Sequence, residues 1–389
     1  MDGAKFAKML SDKHLFELDR MEYKYSVSSV NEFTELLRQN FAQSLPLVDF
    51  SSDELFYLPN LARISTNGMK QLLSAPASNQ SFGLQAMTEE IHATFQIESI
   101  HSSRNSIRHI LNGYAPRNEE ESRIYGMKRG LDFIADRQNT ITEENLHQLY
   151  QISTGDYLPD EDRLLPDHFY HHDVVYVVDG EESREGLPAQ QLPDAMKRLV
   201  DFANAKDGIN ELHKAAILHF AFAYYHPYFD GNGRTARLLH LWYLVQQGYP
   251  AALFTPFSRY IAESKAAYYK AYDRVEKNAL ISGYTDVTPF LSYFCNEVYN
   301  RLQVDAAPPQ ADLQVYQTAL AEGKITEKER LLWEYVLSAY GTEEFTTKQL
   351  EKDFRNAAYA TIRTFVMKFH EMELLVARKT GNRVFYKVK

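Results

Sequence analysis

The 389-residue chain has a single cysteine, Cys295, two tryptophans and no long apolar run. One thiol cannot build an internal disulfide framework, which fits a reducing compartment. A membrane-spanning helix needs roughly twenty apolar residues in a row, so no span is expected. The opening stretch, Met1 to Leu10, has no hydrophobic segment of the kind that begins an export signal. The chain is therefore expected to be soluble and cytoplasmic, with no membrane partner. No Gly-x-x-x-x-Gly-Lys-Ser/Thr stretch occurs, which excludes a P-loop nucleotide site. The net charge of −10 argues against nonspecific nucleic-acid binding by the whole molecule.

What is present is concentrated. With 44% hydrophobic residues the chain can bury a large core and divide into two or three domains. The densest chemistry lies in His226-Pro-Tyr-Phe-Asp230-Gly231-Asn232-Gly233-Arg234-Thr-Ala-Arg237. Helical apolar patterns flank it, Leu212 to Tyr225 before and Leu238 to Val245 after, so this run is predicted to be a loop that opens a helix. A helix start is an anion site, because its free N–H groups and its dipole both favour negative charge. Gly231 and Gly233 let the backbone approach a phosphate closely, and Asn232 adds an amide donor. Arg234 and Arg237, three apart, share a helix face, and two cations in a first turn are unfavourable until an anion joins them. Asp230 suits a hard divalent cation such as Mg2+, and His226 can take a proton near neutral pH. The run is thus expected to serve phosphate displacement. An EF-hand is excluded, since Arg234 and Leu241 stand where oxygen ligands would be needed. A plain hairpin turn is disfavoured by the helical period of both flanks.

Upstream, Met87, Ile91 and Phe95 recur every four positions between Gln85 and Ile100, and Thr94 and Glu98 fall on that same face. Glu98 is predicted to point inward and to need an arginine partner. The alternative is a half-exposed glutamate at a helix end. Between the two features, the β-branched run from Phe169 to Val178 and the turn signal Asp179-Gly180 predict a short hairpin. His168, His171 and His172 with Asp173 are read as surface residues at its base, the alternative being a metal cluster. Arg259 to Tyr272 is helical in pattern, with an aromatic stripe of Tyr268, Tyr269 and Tyr272.

From Thr346 to Lys389 there are ten Lys/Arg against four Asp/Glu, so this tail is basic within an acidic chain. The Pro-containing stretch 304–312 reads as a linker. Beyond it, helices are predicted around Leu331–Tyr340, from the Thr346/Thr347 cap to Phe354, and from Ala357 to Met372, followed by a terminal hairpin.

These residues carry a family resemblance. His226 to Arg237 resembles the motif of the Fic (filamentation induced by cAMP) family, His-Pro-Phe-x-(Asp/Glu)-Gly-Asn-Gly-(Arg/Lys)-x-x-Arg, with Tyr228 in place of the Phe. The resemblance implies a mainly α fold: a Fic-type helical core with a short β-hairpin flap. It also implies an adenylyltransferase that moves AMP from ATP, with Mg2+, to a Ser, Thr or Tyr hydroxyl of a target protein. By that resemblance His226 is the catalytic base and Asp230 holds the metal. Gly231, Asn232, Gly233, Arg234 and Arg237 cradle the triphosphate, and Tyr268 or Tyr269 stacks on adenine while Tyr272 packs inward. Gly233 is similar to the AMP-transferring branch, whereas the kinase-like branch carries Lys there.

Thr94 to Ser99 resembles the family's inhibitory helix, (Ser/Thr)-x-x-x-Glu-(Gly/Asn), with Ser99 departing from the last position. It implies that Glu98 pairs with Arg237 and blocks placement of the γ-phosphate. The hairpin near Val174 resembles the flap that aligns a target chain by strand addition, although the usual preceding Gly-x-(Tyr/Phe)-Arg is absent. The expected division is an N-terminal module at 1–115, the catalytic core at 116–303, the linker at 304–312 and a body at 313–389 whose architecture resembles a winged helix. If that body binds DNA, Tyr359, Arg363 and Lys368 on its long helix and Arg378, Lys379 and Arg383 on its hairpin would face the phosphates; the alternative is a protein-interaction or dimer-forming domain. Two other readings stay open: a regulator that uses the core as nucleotide sensor, and an enzyme that removes AMP through water oriented by Glu98. The target protein and a homo-oligomeric state are not readable from the sequence.

Overall fold

The computed structural model describes residues 1–73, 84–179, 182–249, 251–302, 310–340, 344–381 and 383–389. Its architecture is mainly α, with three separate two-stranded antiparallel sheets among the described residues. At the N-terminus α1 (Gly3–Leu10), α2 (Leu18–Tyr25) and α3 (Val27–Phe41) bury Met9, Leu18, Met21, Val30, Phe33 and Leu37 in a small core of their own. The hairpin β1 (Gln43–Val48) and β2 (Glu54–Tyr57) and then α4 (Thr66–Leu73) lead to α5 (Leu84–Ile97) and α6 (Arg104–Leu111).

The main body continues with α7 (Glu119–Ala135), α8 (Glu143–Ser153), the hairpin β3 (Tyr176–Asp179) and β4 (Glu182–Glu185), and α9 (Leu192–Asn204). At its centre stand α10 (Glu211–Tyr225) and α11 (Asn232–Gln246), followed by α12 (Phe257–Glu263), α13 (Lys265–Ser282) and α14 (Thr288–Tyr293). Apolar residues occur on every side of α10 and α11, and nearly all of both helices are buried, as an all-round apolar helix requires. Asn210 starts α10 by accepting from the N–H groups of Leu212 (3.0 Å) and His213 (3.3 Å). One core runs from Leu45 to Leu302, so packing continues through the boundary expected at 115.

The C-terminal body comprises α15 (Gln310–Ala321), α16 (Glu327–Ala339), α17 (Thr347–Phe354), α18 (Tyr359–Glu371) and the hairpin β5 (Leu375–Thr380) with β6 (Arg383–Val388). Leu332, Trp333, Val336, Phe365, Val366 and Phe369 anchor its separate core. Thr326 and Glu329 cap α16 reciprocally, and Thr346 caps α17 as its spacing suggests. Helix begins at Gln310, earlier than the expected 313, and 304–309 of the predicted linker lie outside the described residues. Two of the basic residues expected to face phosphates are engaged within the body: Lys368 Nζ lies 2.8 Å from Glu329 Oε2, and Arg378 pairs with Glu344. Tyr359, Arg363, Lys379 and Arg383 remain exposed.

The expected extended run from Phe169 becomes strand only at Tyr176. The segment before it is drawn against the motif instead, by the His171 N–H donating to Pro227 O at 2.9 Å. Gly180 of the predicted turn lies outside the described residues.

Candidate active site

The turn between α10 and α11 owes its shape to residues that ordinary turns do not use. His226 closes α10 in the left-handed region, φ 56°, with its N–H on Phe222 O at 3.1 Å. A non-glycine residue there costs about 1–2 kcal/mol, so the surroundings must hold it. Asn232 supplies part of that hold. Its Oδ1 accepts from the Tyr228 N–H at 2.9 Å and its Nδ2 donates to Tyr228 O at 2.7 Å. Its amide, buried at 2% exposure, thus braces the loop through one of its two N–H groups and its oxygen. Gly231, φ 84°, lies so close to the Thr154 methyl that no Cβ would fit. Tyr228 is fully buried and stacks on Tyr150 with ring centroids 3.6 Å apart. Its hydroxyl has no hydrogen-bond partner among the described residues.

The first turn of α11 meets the end of α5. Arg237, 2% exposed at its side chain, sends Nε to Thr94 Oγ1 (2.5 Å) and Nη2 to Glu98 Oε1 (2.5 Å) and Thr94 O (3.4 Å). Burial works against the guanidinium cation, but the charge and hydrogen bond of Glu98 together with Tyr268 and Tyr269 more than offset it, so its pKa is raised. Glu98 Oε1 also lies where a Cβ on Gly233 would project. The carboxylate thus lies beside the first turn of α11, and the start of a helix is a place an anion prefers. Arg237 Nη1 and Arg234 Nε are buried and without a hydrogen-bond partner among the described residues, an unmet demand that a larger anion would satisfy. Asp230 faces outward beside them, with Oδ2 2.7 Å from Arg234 Nη2.

His226 is held neutral. Burial, aided by the nearby Arg184 cation, lowers its pKa to about 4. Arg184, on β4, reaches Glu276 of α13 (2.8 Å) and Tyr224 O (3.1 Å), and so latches the hairpin beside the turn. The Leu187 N–H donates to Tyr225 O at 2.9 Å. Val174, just before the hairpin, and Tyr176, in its first strand, are 56% and 59% exposed. His168 and His172 are exposed, but His171 is buried, which corrects its reading as a surface residue: its backbone bond to Pro227 pulls the ring in against Phe229. No group of three or more His, Cys, Asp or Glu poised to hold a metal occurs among the described residues.

Tyr268 is in the core, its hydroxyl 2.8 Å from His219 Nε2 and its ring edge-on to Tyr269. Tyr269 lines a cavity of about 810 Å³ together with Lys265, Lys270, Arg274, Glu17 and Arg20. Tyr272 packs against Phe220 and Phe290. Two positions were not singled out from the sequence. Glu90, 5% exposed, accepts from the Ser258 N–H (2.9 Å) and from its hydroxyl, tying α5 to α12. It stands four before Thr94 and eight before Glu98, so the same four-residue period that marks Glu98 also marks it. Lys265 Nζ reaches Ser99 Oγ at 3.2 Å, and Ser99 is left-handed, φ 58°.

Residues 140–244 match the model of the Fic/DOC family. The chain is 30% identical over 102 residues to the protein adenylyltransferase fic-1 of Caenorhabditis elegans, covering 26% of this chain and 18% of that protein. It is 30% identical over 113 residues to a probable protein adenylyltransferase of Aquifex aeolicus, covering 28% and 35%. The chain thus spans under a fifth of the nematode relative and about a third of the bacterial one. A solved Fic family protein from Desulfovibrio desulfuricans is similar at 17% identity with a TM-score of 0.49, over 78% of this chain and 86% of that one.

Proposed function

Through residues 140–244 the chain belongs to the Fic/DOC family, and on that premise we propose that it transfers AMP from ATP to a protein hydroxyl under restraint by Glu98. The observation that carries this reading is the contact of the Glu98 carboxylate with both Arg237 and the backbone at Gly233. An anion is already bound where the motif would take a phosphate, and the chain itself supplies it.

The chemistry asked of the residues is modest. His226, neutral at pH 7, accepts the proton of the attacking hydroxyl. The first-turn N–H groups of α11 with Arg234 and Arg237 bind the triphosphate and hold its charge as the hydroxyl oxygen bonds to the α-phosphorus and pyrophosphate leaves. Asp230, an outward carboxylate beside this cradle, is the residue that would hold a Mg2+. Such an ion would offset phosphate charge. The two-stranded β3–β4 hairpin, with Tyr176 exposed in it and Val174 exposed just before it, suits an extended target segment added as a strand.

With ATP labelled at the α-phosphate, the protein freed of Glu98 labels a target, and ATP labelled at the γ-phosphate does not. His226→Ala keeps ATP binding and loses labelling. Binding and labelling lost together, or γ-label transferred, would remove this reading; an unchanged cellular role for His226→Ala would favour a nucleotide sensor.

A further inference from the structure

We propose that the C-terminal body forms the outer half of the restraint on α5, so that its docking sets how firmly Glu98 is held. This rests on the reading of Glu98 given above. Helix α5 is fixed at three levels. Its last turn is tied to Arg237 through Thr94 and Glu98, and its middle to Ser258 through Glu90. Its first residue, Leu84, packs on the core of the C-terminal body, beside α16.

The body also grips the helix that follows. Tyr335 of α16 donates its hydroxyl to Asn112 Oδ1 at 2.8 Å, just beyond α6. The Arg108 guanidinium of α6 lies 5.4 Å from the Tyr340 ring centre. Tyr114 donates to Lys352 O at 3.4 Å, and its ring lies under the Arg355 guanidinium. Arg355 ends α17 at φ 56°, a position that glycine would occupy without strain, yet an arginine stands there and covers Tyr114. These contacts join residues more than 220 apart in sequence and are aromatic and polar, the character of an interface that can open while each side keeps its own core.

The two ends of α5 are therefore linked: one pairs with the motif arginine, the other with a body that has a separate core. Opening the outer contact removes support from the α5–α6 pair and shifts the equilibrium toward Glu98 released from Arg237.

The test uses the full chain. Tyr335→Phe removes one hydroxyl and Arg355→Gly removes the covering cation while easing the backbone, so the body stays folded. The pair is expected to raise AMP transfer about fivefold or more in the Glu98 background, to leave it unchanged in the Glu98→Gly background, and to speed amide exchange across α5. Unchanged α5 exchange, or an equal rise in both backgrounds, would overturn the coupling. If Glu98→Gly itself transfers nothing, the transfer reading fails on its own, and α5 exchange still decides the coupling: faster supports it, unchanged overturns it.

Discussion

Glu98 Oε1 and the backbone of Gly233 compete for one small space at the start of α11, and only the missing side chain of Gly233 lets the carboxylate in. The same carboxylate meets Arg237 Nη2 at 2.5 Å. The site therefore contains its own substitute for a bound anion. Glycine at 233 serves two ends under the proposed function: it admits Glu98 in the restrained state and a phosphate in the working one.

That double use separates two substitutions. Gly233→Ala is expected to push the carboxylate aside yet leave the cradle blocked by its methyl group. ATP affinity should fall about tenfold or more, and transfer should stay well below that of Glu98→Gly. Calorimetric titration with ATP checks this; wild-type affinity in Gly233→Ala would show that nucleotide does not approach the first turn of α11.

Tyr228 departs from the phenylalanine of the resembled motif, and its hydroxyl is buried without a partner among the described residues. A buried unsatisfied group costs about 1–3 kcal/mol. Tyr228→Phe should therefore stabilise the fold by about 1 kcal/mol in urea unfolding, since the stack on Tyr150 is kept. A loss of stability would mean that the hydroxyl is satisfied.

Ser99 explains why the resembled inhibitory pattern ends in Gly or Asn: the position is left-handed, φ 58°, the region these two residues enter most readily. Here serine accepts the strain, and Lys265 adds a hydrogen bond to it. Ser99→Gly should firm the end of α5, slow amide exchange there and lower residual AMP transfer about two- to fivefold, corresponding to roughly 0.5–1 kcal/mol. A rise in transfer would contradict this account of the position.

Acid sensitivity follows from buried histidines. Burial lowers the pKa of His240 to about 3 and of His226 to about 4, against about 6.5 in an unfolded chain. Their folded values are depressed, so the stability they contribute is complete above pH 6.5 and is lost as pH falls toward 4 and then 3. Each contributes about 1.4 kcal/mol per pH unit within its window. His240 must present its Nε2–H to Tyr299, because the one Tyr299 hydroxyl proton goes to Leu212 O. His240→Gln keeps a donor and does not titrate, so its urea midpoint should fall less between pH 7 and 5 than that of the wild type. Equal slopes would place the acid sensitivity elsewhere.

Much of this arrangement is legible in the sequence because it rests on local period and spacing. The helices around the motif, the inward face of Glu98 and the cap at Thr346 all follow from residues within one or two turns of each other. What was not legible depends on distant partners. That Asn232 also braces the loop shows only once Tyr228 folds back over it, and His171 reads as surface until Pro227 accepts its N–H. The Arg184–Glu276 latch and the Glu90–Ser258 tie join segments whose separation no local pattern encodes. Leu84 looks like an ordinary helix start; only the C-terminal core beneath it gives it a second meaning.

The most direct measurement is transfer of α-labelled AMP by purified wild type and Glu98→Gly side by side, with the double variant Glu98→Gly/His226→Ala as control. The account predicts labelling about tenfold or more above wild type in Glu98→Gly and none in the double variant. Labelling in Glu98→Gly no higher than in wild type, with ATP binding intact, would contradict the claim that Glu98 restrains the site.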